Sequence, residues 1–210
     1  MTPVVPPVHA LLVVDVQSAF VHGTEAVPDA ARLLDRVEHL ISAARASGAL
    51  VVHLRNDGPP GAADEPGTPG WRLHLPVEEG PAEVVIGKTE DDGFYETPLN
   101  GLLTRSGVRS LAVCGVMSEM CVSATARTAM ELGYRVVMPH DAHATYDIPP
   151  AAGISGAVPA AMVSRTAEWA LGDGVEIVAG AADVRFTAPA SRRARPSRCS
   201  GSGLGHVHEA

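Results

Sequence analysis

The chain has 210 residues, of which 46% are hydrophobic and 19% charged, and its formal net charge is −8. This length suffices for one domain with a large core, and the composition excludes both a disordered chain and an integral membrane protein. The negative charge excludes nucleic acid as a partner of the protein body but leaves cationic or neutral small molecules as candidates.

The first apolar run lies within MTPVVPPVHALLVVDVQ. No basic segment precedes it, it is short, and it ends at Asp15, so it predicts a β-strand rather than a signal peptide or a membrane span. The three cysteines, Cys114, Cys121 and Cys199, form no C-x-x-C pair. An odd, unpaired set argues against a disulfide framework and a structural zinc site, and favours the cytoplasm.

Short β-branched runs recur along the chain without alternating with polar residues. They cover residues 10–14, 49–54, 83–86, 109–114, 134–138 and 175–178. Such runs are typical of strands buried on both faces of a parallel sheet. Helical patterns over residues 29–48 and 118–133 lie between them and end at Gly48 and Gly133. We therefore predict an α/β fold, a doubly wound, mostly parallel sheet of about six strands with helices on both faces.

Two segments interrupt this alternation. Residues 56–81 are rich in Gly and Pro and contain Trp71, and a loop of that length usually serves a site. The tail over residues 188–210 carries several arginines without an apolar period, so we predict a domain over residues 1–187 followed by a disordered tail. A basic arm that binds an anionic surface is the alternative for the tail.

Polar side chains follow three of the predicted strands. Asp15 and Lys88 each end a strand, and Cys121 follows the fourth strand, at the edge where parallel sheets bind ligands. If Ser118 caps the next helix, Cys121 lies in its first turn, where the helix dipole stabilises a thiolate. A lysine would lower the thiol pKa further, and a carboxylate would accept its proton.

Each of these residues also has a purely structural interpretation. A lone helical cysteine is most often a small buried side chain, an aspartate can cap a segment, and a lysine can be a solvated strand end. Cys114, inside a strand, is predicted to belong to the core. Spacing alone leaves the choice open.

The segments DVQSAF (15–20), GKTEDDGF (87–94) and CGVMSEMCVSATARTAMELGYRVVMPHDAHAT (114–145) resemble the isochorismatase-like cysteine hydrolases, over about residues 10–180. The resemblance implies that Cys121 attacks an amide-type carbonyl, Asp15 shuttles the proton and Lys88 steadies both charges. It also implies a cis peptide at Val116–Met117, with the backbone N–H groups of Met117 and Cys121 as an oxyanion hole. No cofactor and no metal are implied, and the family usually forms homodimers or homotetramers.

Carboxylates crowd the segment after the lysine. The candidates for contact with substrate are Asp57, Trp71, Glu90, Asp91, Asp92 and Glu119. They form either a solvated acidic loop or a rim that attracts a cationic substrate. Together with HDAHATYDIPP, these segments resemble a branch of the family that opens the lactam of a polycationic antibiotic, which implies a cyclic amide as the small-molecule partner.

Other functions remain open at this stage. A metal-dependent nicotinamidase is disfavoured because no Asp-x-His pair follows the second strand, where only His53 and His74 lie nearby. His140 and His143 either line the pocket or fix a loop. A vinyl-ether hydrolase and a non-catalytic binding module with a redox-sensitive Cys121 are the remaining alternatives.

Overall fold

A computed structural model describes residues 5–190 of the chain. Residues 191–210, which include Cys199 and most of the predicted tail, lie outside the described residues. The prediction of disorder there, like the domain boundary at residue 187, stays a prediction.

In the described part of the chain, seven strands form a single sheet. The strands are β1 Ala10–Val14, β2 Leu50–Asn56, β3 Glu83–Lys88, β4 Ser110–Val116, β5 Arg135–Pro139, β6 His143–Ala144 and β7 Val175–Val178. Their order is β3-β2-β1-β4-β5-β7, with β6 paired to β4, and every pair is parallel. The predicted parallel sheet is confirmed, and it gains the two-residue strand β6, which is too short to show a pattern in the sequence.

Within residues 5–190, five α-helices accompany the sheet. They are α1 Ser18–Val21, α2 Ala30–Ser47, α3 Leu99–Arg105, α4 Ser123–Glu131 and α5 Ala160–Ala170. Helix α2 ends as predicted, because Gly48 adopts φ +70° and its N–H donates to Ala44 O and Arg45 O. None of the helices within residues 5–190 is both long and apolar enough to cross a membrane.

Helices cover both faces of the sheet, as predicted. On β1, Leu11 and Val13 face a buried cluster that includes α2, whereas Leu12 and Val14 face a second cluster that includes α3 and α4. Because successive strand residues point to opposite faces, a continuous apolar strand is required to fill two cores.

The order of the strands reverses between β1 and β4, which lie side by side at the centre of the sheet: β2 and β3 follow on one side, and β5 and β7 on the other. In doubly wound sheets this junction opens a crevice at the carboxyl ends of the strands. Gly115 allows the close approach there, since a Cβ on it would lie 2.0 Å from Val14 O and its φ is +121°. The peptide bond that follows, Val116–Met117, is cis, as the sequence resemblance implied.

Candidate active site

Three side chains from three strand ends meet at this crevice. Asp15 follows β1, Lys88 is the last residue of β3, and Cys121 lies in a short π-helical turn, Ser118–Val122, that follows β4. Lys88 Nζ lies 2.8 Å from Asp15 Oδ2 and 3.5 Å from Cys121 Sγ. The structure therefore brings together the three residues that the sequence singled out.

Asp15 is held in a conformation that few aspartates adopt. Its φ is +51°, its backbone N–H donates to Leu54 O over 3.0 Å, and its side chain is 3% exposed. Among the described residues Asp15 Oδ1 has no hydrogen-bond partner. Burial raises the pKa of Asp15, against the opposing influence of Lys88. A buried, unpartnered oxygen on a carboxyl with a raised pKa is suited to accept a proton.

The protonation state of Cys121 corrects a sequence-based expectation. Burial raises the pKa of its thiol, and the carboxylate of Asp15 raises it further, while Lys88 only partly offsets them. These influences favour a neutral thiol at rest over the predicted thiolate. The expectation missed the negative charge of Asp15, which disfavours a second anion beside it.

Lys88 remains a cation in this environment. Burial lowers the pKa of its ammonium, but the interactions with Asp15 and Cys121 together outweigh burial and raise that pKa. Besides its two partners in the site, Nζ donates to Glu90 O over 3.1 Å and to Asn56 Oδ1 over 3.4 Å. These bonds aim the ammonium between the carboxylate and the sulfur.

Contrary to the prediction, Ser118 does not cap a helix. Its hydroxyl lies 2.8 Å from His143 Nδ1 and 2.9 Å from Ser164 Oγ, so it is unavailable to the helix N–H groups. Helix α4 begins only at Ser123, and Met120 breaks the preceding turn with φ −106° and ψ −107°. Cys121 therefore lies on a kinked π-turn before the helix and not in the first turn of a regular one.

The long loop after β2 is fastened beside Asp15. The buried Gln17 donates from Nε2 to Asn56 O and to Trp71 O, and its Oε1 accepts from the Asn56 N–H. Trp71 Nε1 in turn donates to Asp57 Oδ1 over 2.6 Å, and the Arg55 guanidinium lies 3.6 Å from the Trp71 ring centroid. Both Asp57 and Trp71 thus have internal partners, and their predicted contact with substrate stays a prediction.

The acidic segment after Lys88 lines a shallow depression next to the sulfur. Its lining residues are Glu90, Asp91, Asp92, Tyr95 and Ala124. The thiol of Cys121 donates to Asp91 Oδ1 over 3.5 Å, and Glu90 and Asp91 are exposed.

Asp92 and the exposed Glu119 each have hydrogen-bond partners from other segments of the protein. The two oxygens of Asp92 accept from the Phe94 N–H and the Thr128 hydroxyl, which tie the segment to α4. Glu119 Oε1 accepts from the Thr145 hydroxyl. Of the predicted acidic rim, Glu90 and Asp91 are the members best placed to meet a ligand.

His140 and His143 support the site from behind. Both rings contact the same oxygen of the buried Glu168, His140 Nδ1 at 2.6 Å and His143 Nε2 at 3.0 Å. His143 then contacts Ser118, three residues before Cys121. Of the two interpretations left open by the sequence, the geometry favours fixing the turn.

Sequence reasoning missed several residues that hold the site. They are Gln17, Asn56, Ser164 and Glu168. Gln17 carried a usable signal, since it lies two residues beyond Asp15 and three beyond the end of β1. Glu168 lies in α5, far along the chain from the nucleophile turn, and only the fold brings it there.

Comparison with known proteins places the chain in one family of hydrolases. Residues 9–168 match the isochorismatase domain family. Two streptothricin hydrolases from Streptomyces noursei are each 71% identical over 182 residues, 87% of this chain, and the alignments span 66% and 72% of those relatives. A crystal structure of an isochorismatase from Pseudomonas putida KT2440 superimposes with a TM-score of 0.76 at 31% identity, covering 86% of this chain and 93% of that one.

Proposed function

The chain belongs to the isochorismatase family, and from this membership we propose that it is a hydrolase in which Cys121 cleaves a C–N amide bond through a thioester. The best substrate candidate is a cyclic amide on a cationic molecule, of the streptothricin type. The observation that carries the proposal is the contact of Lys88 Nζ with both Asp15 Oδ2 and Cys121 Sγ.

The first half-reaction begins with a neutral thiol. Asp15 takes the proton from Cys121, and the sulfur forms a bond to the carbonyl carbon of the amide, whose oxygen becomes an oxyanion. Backbone N–H groups of Met117 and Cys121 are proposed to bind that oxyanion. When the C–N bond breaks, Asp15 returns the proton to the departing nitrogen, leaving a thioester and a free amine.

The second half-reaction uses water. Asp15, again ionised, accepts a proton from a water molecule, which attacks the thioester carbonyl. Collapse of this intermediate breaks the C–S bond, the sulfur regains a proton from Asp15, and a carboxylic acid is released. In a lactam the amine and the acid remain on one molecule, so the net change is the addition of one water.

The acidic rim supports the choice of a cationic substrate. Glu90 and Asp91 are exposed beside the sulfur, and the depression they line contains no basic side chain. Carboxylates of one sign clustered beside an opening raise the local concentration of cations, most strongly at low ionic strength. The two relatives that are 71% identical are named for hydrolysis of streptothricin.

The proposal is tested by incubating the protein with a panel of amides that includes a streptothricin lactam and following water addition by mass spectrometry. We expect conversion of the lactam by the wild type and none by Cys121→Ala. Cys114→Ala is the matched control, since Cys114 is fully buried in β4 and lies outside the site. Amide conversion that survives Cys121→Ala would exclude the sulfur as the nucleophile, and absence of conversion of any amide would favour vinyl-ether hydrolysis or a binding module.

The role of the acidic rim has its own test. Asp91→Asn removes one charge beside the sulfur, so we expect the KM for the cationic lactam to rise roughly two- to fivefold at low ionic strength, with less effect in high salt. Asp173→Asn is the control, because Asp173 is an exposed carboxylate before β7 and hence near the opposite edge of the sheet. Equal effects of the two substitutions would contradict a local rim.

A further inference from the structure

A second cluster of chemically active side chains lies behind the nucleophile turn. It consists of His140, His143 and Glu168, whose nearest ligand atoms all lie within 4.8 Å of one another. Within residues 5–190 it is the one group of three such side chains that the structure assembles closely enough to hold a metal ion. The mechanism proposed above uses none of the three in a chemical step.

The donor set matches a known preference of transition metals. Two imidazole nitrogens and one carboxylate oxygen, with a remaining position for water, suit Zn²⁺ and similar divalent ions and do not suit Mg²⁺ or Ca²⁺, which prefer oxygen. His140 Nδ1 and His143 Nε2 already converge on Glu168 Oε1, at 2.6 and 3.0 Å. A cation placed among these three atoms requires only a small outward movement of each.

The surroundings supply the outer partners that metal ligands need. The second nitrogen of His143 lies 2.8 Å from Ser118 Oγ, which fixes the ring so that Nε2 faces the cluster. The second oxygen of Glu168 accepts from Arg165 Nη1 over 3.1 Å, so Oε1 alone faces the two histidines, as a single-oxygen ligand would. The Arg165 side chain is 55% exposed, so solvent screens its charge.

The cluster is also accessible. A cleft lined by both histidines opens beside it, and its rim includes Asp29, Arg32 and Asp147. Arg32 lies 3.8 Å from Asp29, so its charge is balanced at the rim. The His140 side chain is 48% exposed, whereas those of His143 and Glu168 are buried, which makes His140 the ligand nearest to solvent.

We infer that His140, His143 and Glu168 form a binding site for one divalent transition-metal ion of the Zn²⁺ type, which braces the nucleophile turn. The ion bonds to His143 Nε2, so the neutral ring carries its proton on Nδ1 and donates it to Ser118 Oγ. Because Ser118 opens the turn that bears Cys121, occupancy of the site stiffens the attachment of the sulfur. The ion takes no part in bond breaking.

The test is a titration of the full-length chain with Zn²⁺ by calorimetry, together with Co²⁺ substitution followed by absorption spectroscopy. We expect one equivalent to bind, and His140→Ala to weaken binding by about tenfold or more. His140 is the residue to change because it is half-exposed and its loss spares the core; Glu168→Gln provides a second variant. Bound Co²⁺ should show ligand-field bands without thiolate-to-metal charge transfer.

Two controls separate this site from other ligands in the chain. Cys121→Ala addresses binding at the proposed nucleophile, and the double change His206→Ala, His208→Ala addresses the tail. We expect both to retain the equivalent of Zn²⁺. Binding that persists in His140→Ala and in a folded Glu168→Gln, or that disappears with either control, would overturn the inference whether or not the protein hydrolyses an amide.

Discussion

Replacing Lys88 by methionine isolates the contribution of the ammonium at nearly constant side-chain length. The Lys88 side chain is 0% exposed and that of Asp15 is 3% exposed. Removing one member of a buried ion pair leaves the other charge without compensation, which costs about 3 to 5 kcal/mol of unfolding free energy. The double variant Asp15→Asn, Lys88→Met removes both charges, and we expect it to be more stable than Lys88→Met by most of that amount.

The measurement is urea denaturation of the wild type, both single variants and the double variant, extrapolated to water at several pH values. In Lys88→Met the pKa of Asp15 is raised by burial without the opposing ammonium. A carboxyl with a folded pKa above its unfolded pKa costs stability at neutral pH and none below the unfolded value. The deficit of Lys88→Met should therefore shrink as the pH falls towards about 4. A single variant within about 1 kcal/mol of the wild type, or a deficit independent of pH, would refute the buried pair.

Three further predictions address the thiol, the crevice and the sheet edge. Besides burial, the Asp15 carboxylate raises the pKa of the Cys121 thiol. The Asp15→Asn variant should therefore be alkylated at Cys121 by iodoacetamide at least about tenfold faster at neutral pH, measured by peptide mapping, while its turnover falls. An unchanged alkylation rate would contradict this influence of Asp15. Gly115→Ala should lower the unfolding free energy by about 3 kcal/mol or more in thermal or denaturant unfolding, because the added Cβ would meet Val14 O. Gly156→Ala is the control: the space around Gly156 is open, so this substitution should change the unfolding free energy little. Burial opposes ionisation of Glu83, but Arg45 and His53 lower its pKa to about 2. Above its unfolded pKa, Glu83 therefore contributes about 3 kcal/mol to the unfolding free energy, and this contribution is lost as the pH falls from about 4.5 to 2. Glu83→Gln should reduce this acid sensitivity in unfolding experiments.

The positions of the six longer strands could be predicted from the sequence because their apolar runs do not alternate with polar residues, whereas the order of these strands in the sheet was not predicted. A run such as ALLVV has no polar residue to place at a surface, so it indicates a central parallel strand. The sequence patterns of helices α3 and α5 were too weak to predict them. Helix α3 has only seven residues, and α5 exposes Met162 and Trp169, which blurs the division into an apolar and a polar face.

The identity of the three residues at the crevice could be predicted, whereas their local setting could not. Strand ends locate Asp15 and Lys88 at one edge, and sequence resemblance points to Cys121. The partner of Ser118 depends on His143, 25 residues later, and on Ser164, 46 residues later. A capping rule considers only neighbours in the chain, so it predicted that the Ser118 hydroxyl binds a helix N–H group. In the structure this hydroxyl contacts His143 and Ser164 instead.

A protonated resting thiol is compatible with the proposed catalysis because proton transfer from Cys121 to Asp15 leaves the charge of the trio unchanged. One negative charge moves from a carboxylate oxygen 2.8 Å from Lys88 Nζ to a sulfur 3.5 Å from it. At an effective dielectric constant of about 20, that displacement weakens the attraction to the ammonium by roughly 1 kcal/mol. Lys88 thus stabilises the state before transfer and the state after it almost equally. The thiolate then needs to exist only while a carbonyl carbon is in place to receive it, and Asp15 already holds the proton that the departing nitrogen requires.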